Sequence, residues 1–226
     1  MKKKLTILSF LAAFGVLLVG NSQENVHADG GGEYLEFNDR KNVVHGVYLG
    51  LNMHYGQVDG SDAFMGGLKL AYVANQQFEA GFEGNFIFSD QNYFNTALGE
   101  NEDLIGAYGG LHLEPIFFSK SRVNLSFPLL LGGGGVGYVG GDIDDDDFGN
   151  DLTEDDFDPF FLVEPGVNVL FNISRYLQVE AGMRYRFTSS VSLRPNGIEN
   201  VNGWSAGIGL KVGVFNLGRN RYKKNI

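Results

Sequence analysis

The sequence predicts an all-β fold: an eight-stranded antiparallel up-and-down transmembrane β-barrel with short periplasmic turns and longer extracellular loops. Three observations carry this reading. Eight stretches alternate apolar and polar residues with a period of two. Each has the length a tilted membrane strand needs, about 9–11 residues, where a soluble strand is nearer about 5–6. The links between the stretches alternate short and long, and an even number of strands suits a bacterial single-chain barrel.

The N-terminus is set aside before the fold is considered. Lys2, Lys3 and Lys4 precede an apolar run from Leu5 to Val19, and Val26-His27-Ala28 offers small residues at a cleavage site. Residues 1–28 read as a signal peptide cleaved after Ala28. The run is shorter than the roughly 20 residues of a spanning helix. Removing it takes away three lysines and one glutamate, which leaves a net charge of −12. That balance argues against a nucleic-acid partner. The chain has no cysteine, so disulfides and a cysteine-linked lipid anchor are excluded. Glycine (33) and Phe plus Tyr (19 and 10) are abundant and proline (5) is scarce, a composition that suits curved strands better than helices.

Residues 29–42 form a polar periplasmic lead, and the barrel is expected over 43–217. The first strand, about Val43 to Gly56, sets Val47, Leu49, Leu51, Met53 and Tyr55 against Tyr48, Asn52 and His54. The second, about Ala63 to Ala74, sets Leu68, Leu70 and Tyr72 against Lys69. The third, Phe78 to Ser89, sets Phe82, Phe86 and Phe88 against Glu79, Glu83 and Asn85. The fourth, about Leu104 to Phe117, sets Ile105, Ala107, Leu111 and Leu113 against Tyr108, His112 and Glu114. The fifth is Arg122 to Val139, with Asn124 and Ser126 on its polar face. The sixth, Pro159 to Asn172, carries Glu164 and Asn168. The seventh, Tyr176 to Ser189, carries Gln178, Glu180, Arg184 and Arg186. The eighth, Gly203 to Phe215, carries Ser205 and Lys211. Tight turns are expected at 75–77, 119–121 and 174–175, and longer links at about 57–62, 90–103, 140–158 and 190–202. A basic tail, 218–226, follows in the periplasm.

Alternation alone does not say which face is inside, because a one-residue shift swaps them. Secretion, strand length and an apolar face that continues through all eight segments favour lipid outside and a polar lumen. Eight strands leave an interior just wide enough for side chains to fill it. Lys69, Glu79, Glu83, Glu114, Glu164, Glu180, Arg184, Arg186 and Lys211 are therefore expected to form a lumen charge network, a structural plug more than a conductor. Distances from the turn centres predict cross-strand contacts Lys69–Glu83 and Glu164–Arg184. Aromatics near both strand ends suit interfacial girdles.

No zinc spacing occurs, no histidine stands beside a serine in a recognisable nucleophile–base arrangement, and the outward faces are expected to hold no histidine, so the chain reads as a non-enzyme. Gly132 to Gly135 lacks the Lys-Ser/Thr of a phosphate loop. The loop from Asp142 to Asp158 holds ten carboxylates and no Lys or Arg. Asp142, Asp144, Asp145, Asp146 and Asp147 could offer oxygens to calcium or magnesium weakly, although the run breaks EF-hand spacing; the bland reading is a solvated acidic loop. No other cofactor is expected.

In architecture residues 43–217 resemble the small eight-stranded outer-membrane barrels of the OmpA/OmpX type. The run Ser205-Ala-Gly207-Ile-Gly-Leu210-Lys-Val212 is similar to the last-strand signal of that group, although the chain continues for eleven residues past Phe215. The resemblance implies a place in the outer membrane of a Gram-negative bacterium, with both termini periplasmic, and insertion by the outer-membrane assembly machinery. The expected function is a non-enzymatic envelope protein, contributing to envelope integrity or surface interaction through acidic loops. The alternatives are a narrow channel or small-solute transporter, and a secreted soluble lipocalin-like binding barrel.

Overall fold

A computed structural model describes residues 44–95, 100–119, 121–140, 157–193 and 197–217. The signal peptide, the N-terminal lead, the basic tail and the metal candidates Asp142, Asp144, Asp145, Asp146 and Asp147 lie outside the described residues. Nine strand segments follow one another: β1 His45–Val58, β2 Ser61–Ala74, β3 Phe78–Asn95, β4 Glu100–Phe117, β5 Val123–Ser126, β6 Leu129–Gly140, β7 Phe157–Asn172, β8 Leu177–Thr188 and β9 Gly203–Leu217. All pairings are antiparallel between strands adjacent in the ring, and β9 returns to pair with β1, so the sheet closes.

The ring has eight staves because β5 and β6 share one. Both lie between β4 and β7. The expected fifth strand is broken at Phe127-Pro128, since proline has no N–H to give the ladder. The wall stays bonded across the break. Phe127 N donates to Pro115 O at 3.1 Å and Gly166 N donates to Pro128 O at 2.8 Å.

Two links differ from expectation. The link placed at 57–62 is a two-residue turn, with Asp59 at φ 49° and Gly60 at φ 89°. Asp-Gly with both residues in the left-handed region is the turn that matches strand twist, so β1 and β2 continue to it and the strict alternation of short and long links fails here. The link placed at 90–103 is shortened in the same way, because β3 and β4 extend to Asn95 and from Glu100.

The β2–β3 register places Lys69 opposite Glu83. The β7–β8 register differs from expectation by two residues: Arg184 faces Gly166, and Glu180 faces Leu170. The turn uses Ile173 to Tyr176, which moves its centre one residue along. An even shift keeps every side chain on its own face.

The two faces sort cleanly. Outward from β1 stand Val47, Leu49, Leu51, Met53 and Tyr55, and from β9 Trp204, Ile208 and Val212, all exposed. Phe161 is 81% exposed and Ile208 65%, extreme values for such side chains in water. The buried set instead contains Lys69, Lys211, Arg184, Arg186 and six glutamates. From Trp204 to Val214 the apolar face runs about 33 Å along the strand. A tilt of about 40° projects that to about 25 Å, the height of an outer-membrane apolar band. Tyr55, Phe64, Phe187 and Trp204 rim it at one end and Tyr72, Phe78, Phe171 and Tyr176 at the other. Tyr185 stacks edge-on to both Phe187 and Trp204, at 4.5 and 4.8 Å between centroids.

Candidate functional site

The lumen is built from long side chains set against glycine. A Cβ on Gly209 would lie 2.6 Å from Glu180 Cγ, one on Gly166 2.7 Å from Arg184 Cγ, and one on Gly67 2.0 Å from Asn85 Oδ1. Inward glycines therefore make the room that the charged residues occupy, the small-against-large arrangement by which a narrow barrel fills its interior.

Lys211 Nζ sits among three carboxylates: Glu79 Oε2 at 2.8 Å, Glu114 Oε2 at 3.0 Å and Glu180 Oε2 at 3.1 Å. Lys69 Nζ lies 3.2 Å from Glu180 Oε1, 3.7 Å from Glu114 Oε2 and 3.8 Å from Glu83 Oε2. Arg184 Nη1 lies 2.5 Å from Glu83 Oε1 and 3.4 Å from Glu164 Oε1. Arg186 Nη1 is 3.7 Å from Glu164 Oε2, donates to Tyr108 Oη at 3.2 Å, and its guanidinium lies over the Tyr108 ring. Its Nε donates to Val201 O at 2.8 Å. All nine residues of the expected network are buried, and each has an oppositely charged partner within 4.0 Å. Buried charges are tolerated when so paired.

Several members were not among the nine. His112 places Nδ1 3.0 Å from Glu83 Oε2 and Nε2 3.0 Å from Glu114 Oε2. Only the Nε2 contact has hydrogen-bond geometry. Tyr48 donates its hydroxyl to Glu79 Oε2, Ser126 Oγ to Glu114 Oε1 at 2.5 Å and Asn52 Nδ2 to Glu83 Oε1 at 2.9 Å. Glu102 is also buried, nearer the long loops. All share the inward parity of their strands, which is the signal that marks them.

Glu79, His112 and Glu114 bring ligand atoms within 4.8 Å of one another. The spacing would suit a metal ion, but the ammonium of Lys211 already lies between the two carboxylates. The cluster reads as a lysine cradle.

The outward faces do hold a histidine, contrary to expectation. β1 begins at His45, which shares the parity of Val47 and is exposed. Its Nδ1 meets the Tyr72 hydroxyl, so its partner is a phenol and not a serine nucleophile.

The interior changes character toward the long loops. Val58, Met65, Ile87, Leu104, Val136 and Phe160 face inward and pack with Val191, Ile198 and Val201 from the link between β8 and β9. That link is tied in by Val191 N to Glu199 O at 2.9 Å, Ile198 N to Tyr138 Oη at 3.2 Å and Val201 N to Thr188 Oγ1 at 2.9 Å. Asp158, the described carboxylate of the acidic stretch, accepts from Ser192 N. At the opposite end the short turns border an open polar cavity of 310 Å³. The lumen thus has three storeys: a polar vestibule at the short turns, the charge network, and an apolar plug beneath the long loops.

No family model and no curated protein matches the chain. Among solved structures, it is similar to Neisserial surface protein A, with a TM-score of 0.52 and 15% identity, over 74% of this chain and 96% of that one. Ail of Yersinia pestis, solved with the heparin analogue sucrose octasulfate, aligns with a TM-score of 0.42 and 15% identity over 76% of this chain and 98% of its own. The chain has the fold of the small eight-stranded β-barrels to which Neisserial surface protein A belongs.

Proposed function

We propose that the protein is a non-enzymatic barrel of the outer membrane of a Gram-negative bacterium, contributing to envelope integrity or to surface interaction through its acidic external loops. The single observation that carries this reading is the inversion of the two faces. Apolar side chains from Val47 to Tyr55 and from Trp204 to Val214 look outward, while Lys69, Lys211, Arg184, Arg186 and their glutamates are buried. In water that arrangement would expose the greasy face and desolvate the charges, both unfavourable. In lipid it is the arrangement a barrel requires.

In this reading residues 1–28 direct export, the assembly machinery inserts the barrel, and both termini lie in the periplasm with the short turns. The paired charges and the apolar plug fill the lumen, so it serves as the rigid support of the loops. The acidic stretch 142–158 is the surface that meets partners or, weakly, calcium or magnesium.

Fractionation of a Gram-negative host expressing the full chain tests the proposal. Recovery in the outer-membrane fraction, released by detergent but not by buffer or carbonate, is the expected result. Release into plain buffer without detergent would overturn it.

A further inference from the structure

The cavity bordered by the short turns has a chemistry that the envelope role does not use. Gln76, Ser119, Ser174 and Arg175 form its rim, and Asn124, Asn172, Gln178 and Glu79 its polar wall. Val73, Ile116 and Phe215 form an apolar wall beside them. Asn172 and Asn124 are hydrogen-bonded at 2.6 Å, and Gln178 Nε2 donates to Asn172 Oδ1 at 2.7 Å. These bonds fix the orientation of the amides and leave Oε1 of Gln178 as its outward acceptor end.

Two acceptors on residues that line this cavity are left over. Glu79 is fully buried, and both Tyr48 and Lys211 donate to its Oε2. Its Oε1 has no hydrogen-bond partner among the described residues, and neither has Oε1 of Gln178, itself 5% exposed. A buried acceptor without a donor is destabilising, the more so when it is charged. Such atoms call for a donor from outside. The adjoining lumen also carries excess negative charge. Glu79, Glu83, Glu114, Glu164 and Glu180 are buried with Lys69, Lys211, Arg184 and Arg186, a formal balance of −1 with histidine neutral.

We propose that this vestibule binds a small primary ammonium ligand, its N–H groups donating to Glu79 Oε1 and Gln178 Oε1 and its alkyl stem lying along Val73, Ile116 and Phe215. A bare divalent ion fits less well, because hard cations take about six or more oxygens and one side of the cavity is apolar. A quaternary ammonium has no N–H to offer the two acceptors. Arg175 at the rim has its guanidinium over the Tyr176 ring, 5.8 Å from the centroid.

The test is a titration of the full barrel in lipid nanodiscs with ethylammonium chloride, read by the side-chain amide resonances of Gln178, Gln76 and Asn172. Sodium chloride and tetramethylammonium chloride at equal ionic strength are the comparison arms. Saturable shifts with ethylammonium alone are expected, half-complete at about millimolar concentration as befits two charge-assisted contacts. Gln178→Leu, which leaves the Lys211 contacts in place, should weaken binding at least tenfold, and Glu79→Gln more. Non-saturating shifts, equal shifts with tetramethylammonium, or full binding retained in Gln178→Leu would each overturn the proposal. Heat-modifiable migration of each variant verifies that the barrel is intact.

Discussion

Arg184 stands opposite Gly166 across the β7–β8 pair, yet its Nη1 lies 3.4 Å from Glu164 Oε1, two residues along the strand. The absent side chain at Gly166 opens the diagonal: a Cβ there would lie 2.7 Å from Arg184 Cγ and 3.1 Å from Pro128 Cγ. The same guanidinium reaches Glu83 on the far wall at 2.5 Å. One side chain thus ties β8 to β7 and to β3 through the centre of the barrel.

Arg184→Met should therefore be among the most damaging single changes. It leaves Glu83 and Glu164 as buried carboxylates short of a partner, at a cost of about 3–5 kcal/mol. Urea unfolding in bilayers, followed by heat-modifiable migration, measures it. Adding Glu83→Gln should recover part of the loss. Strict additivity of the two variants would show that the contact carries no coupling.

The readable part of this site was its parity, and the unreadable part its register and its apolar storey. The three-residue turn at Asn75 to Gln77 has an unambiguous centre, so Lys69 opposite Glu83 follows from counting. The turn at Ile173 to Tyr176 borrows residues that continue the apolar alternation, which hides where β8 begins and displaces every β7–β8 pair by two. Near the long loops both faces are apolar, with Leu104 inside and Ile105 outside, and the same holds at the start of β6, with Leu130 inside and Leu131 outside. Alternation carries no contrast there, and a plug built from Val191, Ile198 and Val201 lies in a link with no period to detect. Pro128 was visible as a residue, but its break was masked by the long apolar run on both sides.

The glycines make a paired prediction. Gly67→Ala should place a methyl 2.0 Å from Asn85 Oδ1 and 2.5 Å from Gly84 O. Overpacking of this kind typically costs about 1–3 kcal/mol. Gly84→Ala, on the lipid side of the same wall with open space around its Cβ, should be neutral or gain a few tenths of a kcal/mol from reduced unfolded-state entropy. Refolding yield and urea midpoint distinguish them, and equal losses would refute the close-packed lumen.

The Asp59-Gly60 turn gives a third. Gly60 has φ 89° and nothing within 4 Å of a would-be Cβ, so its constraint is backbone conformation alone. Gly60→Val should destabilise by about 1–2 kcal/mol, without altering the outward or inward faces of β1 and β2. Unchanged stability on thermal unfolding would mean that the turn relaxes to another form.

The apolar plug gives a fourth. Ile198→Ser with Val201→Ser removes buried methyl groups beneath the long loops, at a cost of about 1–3 kcal/mol per site. Protease cleavage within residues 189–202 should become faster. Conductance in planar bilayers should stay absent, because Lys69, Lys211, Arg184 and Arg186 with their glutamates still fill the storey below. Appearance of stable conductance in the double variant would assign the seal to the plug instead of the charge network.

Lipid contact itself is tested on the outer face. Ile208 stands midway along the apolar face of β9, is 65% exposed, and pairs with Met53 and Ala181 on the neighbouring strands. Against water, Ile208→Arg would move a charge into solvent at no cost and improve solubility. Against lipid, the same charge sits near the midplane and should cost about 2–4 kcal/mol. Ser205→Ala faces the lumen one turn of the pleat away and serves as the control for a change in β9 that leaves the exterior unaltered. Folding free energies measured in bilayers decide between the two solvents: a loss at position 208 that vanishes when arginine is moved to the rim, at Asp62, is the depth dependence that only a membrane imposes.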